Sequence, residues 1–501
     1  MKMDLKSKLL HAVLGAFFAA ASPVFAQETP NVVFILADNV GFGDMGPYGG
    51  GELRGMPTPI TDQLAREGLT LTQFLVEPSC TPSRAALMTG QYSIRNGLSL
   101  FIIPGTPNTL PKTAFTMGQL FKDAGYSTAI YGKWHLGIDA QSLPSAHGFD
   151  TFYGIPPNTS WDSAATVPGV MLSHSAGDVP EKDLIDKGPW IMEQKAGGEL
   201  KKVKPFTLEE RAKIDVDLTQ KSVAFIKEQA AAKKPFFLYL PFSMGHSPNL
   251  PSKDFAGKSR IGEYGDKIME GDHHVGQVFD ALKEAGVDDN TIVVFASDNG
   301  PTGLEFSNWS ALGAPDMGSS GPFRGRLGAG TEGSIRTFAF IRWPGHVKPN
   351  TDSYAMFSIM DFLPTFAAIL GKELPKDRPI DGVDQTKVLT GESEAGARET
   401  LLSFIGADLV AARWKQWRIY FKDEVRTGSG HLQLGGADTG FIDRAYPSVY
   451  NIEMDPHEDV NVGGNFIWAM EPALKAVMEY EATLKDHPNP KPANVTNFGG
   501  N

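Results

Sequence analysis

Two apolar segments, residues 31–37 and 291–297, constrain the fold of this chain most. Both are continuous runs rich in branched side chains, which is typical of strands buried on both faces of a sheet. Each run is followed directly by the same two polar residues, Asp38-Asn39 after the first and Asp298-Asn299 after the second. One such pair alone would indicate an Asx turn. Two pairs at strand ends, where open α/β sheets bind their ligands, predict an oxygen-rich site for a hard cation.

The stretch around Cys80, the single cysteine in 501 residues, carries a second candidate site. Pro82 excludes a helix that runs through the cysteine but suits a first helical turn, and the Ala-rich run that follows predicts a helix ending at Gly90. Cys80 is therefore expected just before a helix N-terminus, where backbone N–H groups favour an anion. Arg84 adds a cation with a planar donor fork suited to an oxyanion. A buried structural cysteine is the ordinary alternative, and these features favour a chemical site over it.

Lys133, His135 and His246 are further candidates because each follows a predicted strand. The first two come after the strand at 126–131, and alternation puts their side chains on the same side of the chain. His246 comes after the strand at 234–241, and taken alone it would more often be a structural residue. The pairing of Lys133 with His135 favours a site at this end of the sheet.

Composition limits the partners and the compartment of the protein. Lys+Arg 46 against Asp+Glu 58 gives a net charge of −12, which argues against nucleic acid or an anionic membrane surface as a partner. Residues 1–26 combine a charged start, an apolar stretch and small residues before Gln27, the pattern of a secretory signal peptide. No later segment is long and apolar enough to span a bilayer. We therefore expect an exported protein, periplasmic or secreted, without stable membrane insertion.

The remaining patterns predict a large α/β domain and a smaller second unit. An exposed stretch at 391–398 marks the boundary, so the expected divisions are 1–26, 27–395 and 396–501. Residues 155–210 show no regular pattern and are expected to form an insertion or a surface excursion. Helices are predicted at 58–68, 115–123, 214–230, 264–285, 361–370 and 471–485, and strands of an antiparallel sheet at 414–421 and 448–452. The last helix carries the apolar residues Leu474, Val477, Met478 and Leu484.

These motifs, in this order, resemble the formylglycine-dependent sulfatases of the alkaline phosphatase superfamily. Residues 80–84 match the Cys-x-Pro-Ser-Arg core of the sulfatase signature. The matching segments that follow are Gly-Lys-Trp-His-Leu-Gly at 132–137, Gly-His-Ser-Pro at 245–248, Ser-Asp-Asn-Gly at 297–300 and Asn-Ile-Glu-Met-Asp-Pro at 451–456. The resemblance implies a large mixed sheet flanked by helices in a catalytic domain, with a smaller C-terminal α+β domain that contains an antiparallel sheet.

The resemblance also implies a nucleophile and a metal. Cys80 would be oxidised to Cα-formylglycine (3-oxoalanine) by a formylglycine-generating enzyme, and its hydrated aldehyde would attack a sulfate ester of a small molecule or a glycan. The cation would be Ca²⁺, with Mg²⁺ as an alternative. Its implied ligands are Asp38, Asn39, residue 80, Asp298 and Asn299.

Further roles follow from the same resemblance. Arg84 would orient the hydrated aldehyde, and His135 would assist breakdown of the covalent intermediate. Lys133 and His246 would bind the sulfate group, and one of them would protonate the leaving alcohol. Asp298 is a candidate for activating the attacking hydroxyl.

Two departures from the family pattern leave the transferred group open. Asn39 stands where these enzymes usually have a second aspartate, which removes one negative charge from the cation site. Leu327 stands where a substrate-binding lysine is common, and its neighbour Arg326 is the candidate replacement. The leading hypothesis is hydrolysis of an aryl or sugar sulfate by S–O cleavage. The alternatives are a phosphodiester or phosphonate monoester hydrolase of the same superfamily, and an exported sulfoglycan-binding protein without activity.

Overall fold

The computed structural model describes residues 29–102, 108–157, 189–302, 318–426 and 439–491, and the predicted signal peptide lies outside them. Short strands alternate with helices through most of this chain. The strands are β1 Asn31–Ala37, β2 Leu69–Leu71, β3 Phe74–Leu75, β4 Ser127–Lys133, β5 Thr151–Ile155, β6 Trp190–Lys195, β7 Lys201–Pro205, β8 Phe236–Pro241, β9 Thr291–Ser297, β10 Arg336–Thr337, β11 Ala339–Arg342, β12 Thr351–Ser353, β13 Phe357–Ser358, β14 Thr400–Ile405, β15 Asp408–Trp414, β16 Trp417–Arg426 and β17 Thr439–Asn451. The helices are α1 Pro59–Glu67, α2 Cys80–Thr89, α3 Met117–Asp123, α4 Leu208–Ala231, α5 Glu263–Glu284, α6 Glu332–Ile335, α7 Phe362–Ile369, α8 Thr386–Leu389 and α9 Met470–Thr483.

A mixed sheet forms the centre of the described chain, with ten strands in the order β12-β2-β11-β9-β1-β8-β4-β5-β6-β7. β1 lies between β8 and β9 and is parallel to both. The register pairs Ala37 with Ser297, so the polar residues after β1 and β9 come out side by side. All seven residues of each of these two strands are buried, as their apolar sequences predict.

Alternate side chains of β1 enter two separate cores, one on each face of the sheet. Phe34 belongs to the core that α2, α3 and α7 cover. Ile35 belongs to the core that α1, α4 and α5 cover. The sheet is therefore the middle layer between two layers of helices, which buries its strands on both faces.

A second sheet, in the C-terminal part, is antiparallel with the strand order β14-β15-β16-β17. Its residues Leu401 and Phe404 and the α9 residues Ala473 and Val477 belong to the same core as one face of the large sheet. The predicted fold class, a large mixed sheet flanked by helices with a smaller antiparallel sheet, is confirmed. The expected boundary between residues 395 and 396 stays a prediction, and the smaller sheet begins at Thr400.

Some local predictions differ from the structure. Part of the segment at 155–210 is regular, because β6 and β7 extend the sheet as an antiparallel edge. These strands bury few side chains and so lack the apolar alternation that reveals a strand. In α9, Leu474 and Met478 are exposed, since the helix packs through Ala473, Val477 and Tyr480 instead.

No helix among the described residues is long and apolar enough to cross a lipid bilayer.

Candidate active site

The Asp-Asn pairs after β1 and β9 lie together at the carboxyl edge of the large sheet. The Asp298 N–H donates to the Ala37 carbonyl at 3.1 Å, and the Asn39 N–H donates to Asp298 Oδ1 at 3.1 Å. Asn39 adopts a left-handed backbone conformation with φ of 60°, which asparagine tolerates better than most residues. The side chains of both pairs are fully buried. The structure thus brings the four predicted cation ligands into one site.

Cys80 lies at the start of α2, whose ten residues are all buried. It is the first helical residue, so the prediction that it precedes the helix is wrong by one position. Ser79 is the residue with extended backbone before the helix, and Gly90 ends the helix in the left-handed conformation as predicted. Ser83 Oγ donates to the Glu77 carbonyl at 3.0 Å and fixes the path of the chain into the helix.

Cys80 lies among ionisable groups from other elements. Its Sγ, a carboxylate oxygen of Asp38 and a ring nitrogen of His246 all lie within 4.8 Å of one another. Burial raises the pKa of the Cys80 thiol to about 11. Cys80 and His246 keep 5% and 8% of their surfaces exposed, whereas Asp38 and Lys133 have none.

Arg84 connects the two strand ends from one turn into α2. Its Nε and Nη2 donate to Asp298 Oδ2 at 3.1 and 2.8 Å. Nη2 also lies 3.4 Å from Asp38 Oδ2, and Nη1 donates to the Lys133 carbonyl at 3.0 Å. The guanidinium therefore fixes three segments of the site relative to one another.

Lys133 and Arg84 give the two aspartates different proton affinities. Lys133 Nζ donates to Asp38 Oδ2 at 2.6 Å. Although burial opposes ionisation, Lys133, His246 and Arg84 hold the pKa of Asp38 below its ordinary value. Burial, and then the charge of Asp38, raise the pKa of Asp298 to about 6. Asp38 is thus the permanent anion of the site, while Asp298 is able to exchange a proton near neutral pH.

The hydrogen bonds of the two histidines define their tautomers. His135 Nε2 donates to the Ile102 carbonyl at 2.9 Å, which leaves Nδ1 unprotonated, buried and without a hydrogen-bond partner among the described residues. His246 Nδ1 donates to the Ser247 carbonyl at 2.8 Å, which leaves Nε2 as its unprotonated nitrogen. Burial lowers the pKa of His135 and lowers that of His246 to about 4, so both rings are neutral near pH 7.

The loop that holds Arg326 and Leu327 runs past the site. The Leu327 N–H donates to the Pro301 carbonyl at 3.0 Å, and the Gly328 N–H donates to the Pro78 carbonyl at 2.9 Å. Arg326 Nη1 donates to the Thr302 carbonyl at 3.4 Å. The loop therefore lies between the residues that precede Cys80 and those that follow Asn299. The hydrogen bond of Arg326 is to Thr302, beside the site, and not to another predicted site residue.

Sequence reasoning missed Arg211, whose side chain contacts the turn that carries His246. The predicted helix began at residue 214, whereas α4 begins at Leu208 and includes Arg211 in its first turn. The available signal was Thr207, whose side chain accepts a hydrogen bond from the Glu210 N–H as an N-cap residue does.

The buried residues fit a hard divalent cation. Two carboxylates and two amides supply the oxygen ligands that such a cation prefers. Asn299 Nδ2 donates to Asn39 Oδ1 at 2.7 Å, and Asn299 Oδ1 is buried without a hydrogen-bond partner among the described residues. The charge of Asp38 is, after burial, the second cause of the raised pKa of Asp298, and a cation held between the two carboxylates would offset that repulsion.

Comparison with known proteins gives one family. The family model described as Sulfatase matches residues 30–372, which include β1 to β13 and every predicted site residue. The chain is 34% identical over 469 residues to a steryl-sulfatase of Mus musculus, covering 82% of this chain and 74% of that protein. It is 32% identical over 490 residues to arylsulfatase A of Bos taurus, covering 94% of this chain and 90% of that one.

Among solved structures, the PsFucS1 sulfatase from Pseudoalteromonas sp. superposes with a TM-score of 0.83. That pair shares 32% sequence identity over 92% of each chain. These matches favour sulfate esters over the phosphodiester and phosphonate alternatives. The chain belongs to the sulfatase family and hydrolyses sulfate esters.

Proposed function

We propose that the protein hydrolyses the sulfate monoester of an aryl or sugar alcohol by S–O cleavage, at a nucleophile derived from Cys80. The main observation that supports this proposal is that Cys80 Sγ lies close to Asp38 and His246, at the N-terminus of a fully buried helix. An aryl or sterol alcohol is supported by the names of the relatives, an arylsulfatase A and a steryl-sulfatase. A sugar alcohol is supported by a further relative from Canis lupus familiaris, an N-acetylgalactosamine-6-sulfatase that is 32% identical.

Conversion of Cys80 to formylglycine during maturation is part of the proposal. A thiol with a pKa of about 11 is protonated near neutral pH and is therefore a weak nucleophile. Formylglycine at this position supplies a hydroxyl nucleophile through its hydrated aldehyde. The partner implied is a formylglycine-generating enzyme that acts on the chain before or during export.

We further propose that Asp38, Asn39, Asp298 and Asn299, together with residue 80, hold Ca²⁺ or Mg²⁺. When bound, the cation supplies positive charge that polarises the sulfate group and stabilises charge on its oxygens. The proposal is supported by the buried Asn299 Oδ1 and by the raised pKa of Asp298. Asn39 reduces the ligand charge by one compared with a second aspartate, so we expect moderate affinity for the cation.

The residues around Cys80 are suited to moving protons and binding an anion. Asp298, with a pKa of about 6, is the proposed base for the attacking hydroxyl. His135 has its unprotonated Nδ1 available to accept a proton from a second hydroxyl at residue 80, which would assist release of sulfate. Arg84 keeps Asp298 in place through two hydrogen bonds.

Lys133 and His246 are the proposed sulfate-binding residues. The ammonium of Lys133 is buried on Asp38, and the single negative charge of an arriving sulfate monoester would attract it in this weakly solvated site. A bound anion would favour the protonated form of His246. Either residue can then protonate the leaving alcohol. Arg326, on the loop beside Thr302, is proposed to contact the substrate in place of the lysine that Leu327 replaces.

The test is turnover of 4-nitrophenyl sulfate against bis(4-nitrophenyl) phosphate by protein purified from a host with the maturation enzyme. We expect the sulfate to be hydrolysed faster, and a strong preference for the phosphodiester would contradict the proposal. Mass spectrometry of the peptide around Cys80 should find the aldehyde. A free thiol in fully active protein would refute the proposed nucleophile.

Export is proposed from residues 1–26, and the division at 395 and 396 is proposed from sequence. N-terminal sequencing of the mature protein should begin at Gln27. Limited proteolysis should cut first within the exposed stretch at 391–397, where Glu394 and Ala395 are exposed.

A further inference from the structure

We propose that Arg211 is a positioning residue that holds His246 in its catalytic place. The inference rests on the proposed role of His246 in binding sulfate. Arg211 lies in the first turn of α4 and donates to the backbone carbonyl of His246, and it acts on the reaction through that backbone.

The contact between Arg211 and the His246 turn is made by both ends of the guanidinium fork. After β8, the chain turns back so that the His246 N–H donates to the Ser243 carbonyl at 3.1 Å. Arg211 Nη1 donates to Ser243 Oγ at 2.5 Å. Its Nη2 donates to the Ser243 carbonyl at 3.2 Å and to the His246 carbonyl at 2.6 Å. One planar group therefore spans both ends of the turn, which a lysine ammonium cannot do in the same way.

Asp215, one turn further along α4, binds the same turn through Ser243. The Ser243 N–H donates to Asp215 Oδ1 at 2.8 Å, and Ser243 Oγ donates to Oδ2 at 2.9 Å. Lys267 of α5 lies 3.1 Å from Asp215 Oδ2 and 3.0 Å from Glu270 Oε2. The side chains of this cluster are buried, and its two cations balance its two carboxylates. Such a group is rigid because each charge depends on the others for compensation.

On another side, the turn packs against the segment after β1 that carries Asp38. The Asp38 N–H donates to the Met244 carbonyl at 3.0 Å. Gly245 has φ of 89°, and a Cβ at this position would lie 2.5 Å from the Asp38 carbonyl oxygen and 2.4 Å from Val40 Cγ2. The turn has no room to move toward β1. Arg211 holds the turn on the α4 side, so its loss releases that side and changes the position of the His246 ring relative to Cys80.

The effect on catalysis should exceed the effect on folding. A displacement of about 1 Å in a substrate-positioning group costs up to about a hundredfold in rate. For Arg211→Lys we expect kcat/KM on 4-nitrophenyl sulfate to fall about tenfold or more, with KM raised because sulfate binding is weakened. Ser243→Ala removes one acceptor of the fork and keeps both carbonyl contacts, so its loss should be smaller in the same direction.

The decisive measurement is a double-mutant cycle with His246→Ala. If Arg211 acts through His246, adding Arg211→Lys to His246→Ala should change kcat/KM by less than about twofold. An equal loss in both backgrounds would overturn the inference and leave the proposed function standing. If His246→Ala itself retains full activity, the role proposed for His246 is wrong, and the inference falls with it.

A second readout needs no turnover. In protein with ¹³C-labelled histidine, Arg211→Lys or Ser243→Ala should shift the ring resonances of His246 and leave those of the exposed His457 in place. Arg342→Lys is the matched control, because Arg342, like Arg211, is a buried arginine. Its partners are Glu67 and Asp288, which lie outside the His246 turn. The control should lower the melting temperature without moving the His246 resonance. An unshifted His246 resonance in both test variants would refute the inference.

Discussion

Glu77, three residues before Cys80, should make the stability of this protein depend on pH. The side chain is 3% exposed, and burial followed by the charge of Asp381 raises its pKa to about 8. A carboxyl group whose pKa is higher in the folded than in the unfolded protein destabilises the folded state when it ionises. This loss of unfolding free energy is absent below pH 4.5, grows as the pH rises from 4.5 to about 8, and is constant above that.

The substitution Glu77→Gln removes this cost, since glutamine cannot ionise and retains the shape of the neutral acid. The interval between 4.5 and about 8, at about 1.4 kcal/mol for each pH unit, sets an upper limit of about 5 kcal/mol at high pH. We expect the variant and the wild type to unfold with similar free energies at pH 5. At pH 8.5 the variant should be more stable by several kcal/mol.

Denaturant unfolding followed by tryptophan fluorescence at both pH values measures this difference. Glu394→Gln, on the exposed stretch before β14, is the control and should change stability little at either pH. A Glu77→Gln variant that gains no stability between pH 5 and pH 8.5 relative to the wild type would show that Glu77 ionises without cost. The argument from burial would then be wrong.

Three further predictions concern the site itself. Cys80→Ala should abolish hydrolysis of 4-nitrophenyl sulfate while the melting temperature stays within a few degrees of the wild type, because alanine also starts a helix well; retained turnover would contradict the proposed nucleophile. Lys133→Met should lower kcat/KM at least about a hundredfold, since it removes a buried cation 2.6 Å from Asp38; steady-state kinetics checks this, with Lys376→Met, an exposed lysine, as the unaffected control. Asn39→Asp should increase Ca²⁺ affinity by about tenfold or more, measured by calorimetry, because it adds a carboxylate to the ligand set; equal affinity in the two proteins would count against this cation site.

Local sequence signals account for the elements on which the site is built. Sequence alone predicts β1 and β9, because a continuous branched apolar run is typical of a buried strand. It also predicts the body of α2, because a proline in the first turn and a glycine after the last turn are local signals of a helix. The strands β6 and β7, at one end of the large sheet, were not predictable in this way. All but one of their side chains are exposed or half-buried, so the pattern carries no apolar period.

By itself, the sequence determined which residue types follow each buried strand, and hence the set of oxygen ligands and basic groups available to the site. Only the tertiary structure decided how they are paired. Lys133 lies on Asp38 across 95 residues, and Arg84 binds Asp298 across 214. The pKa of Asp298 depends on burial and on a second carboxylate from another strand. Arg211 reaches the His246 turn because α4 packs against the segment that follows β8. Distance, burial and charge compensation arise from packing between distant segments, and no local pattern encodes them.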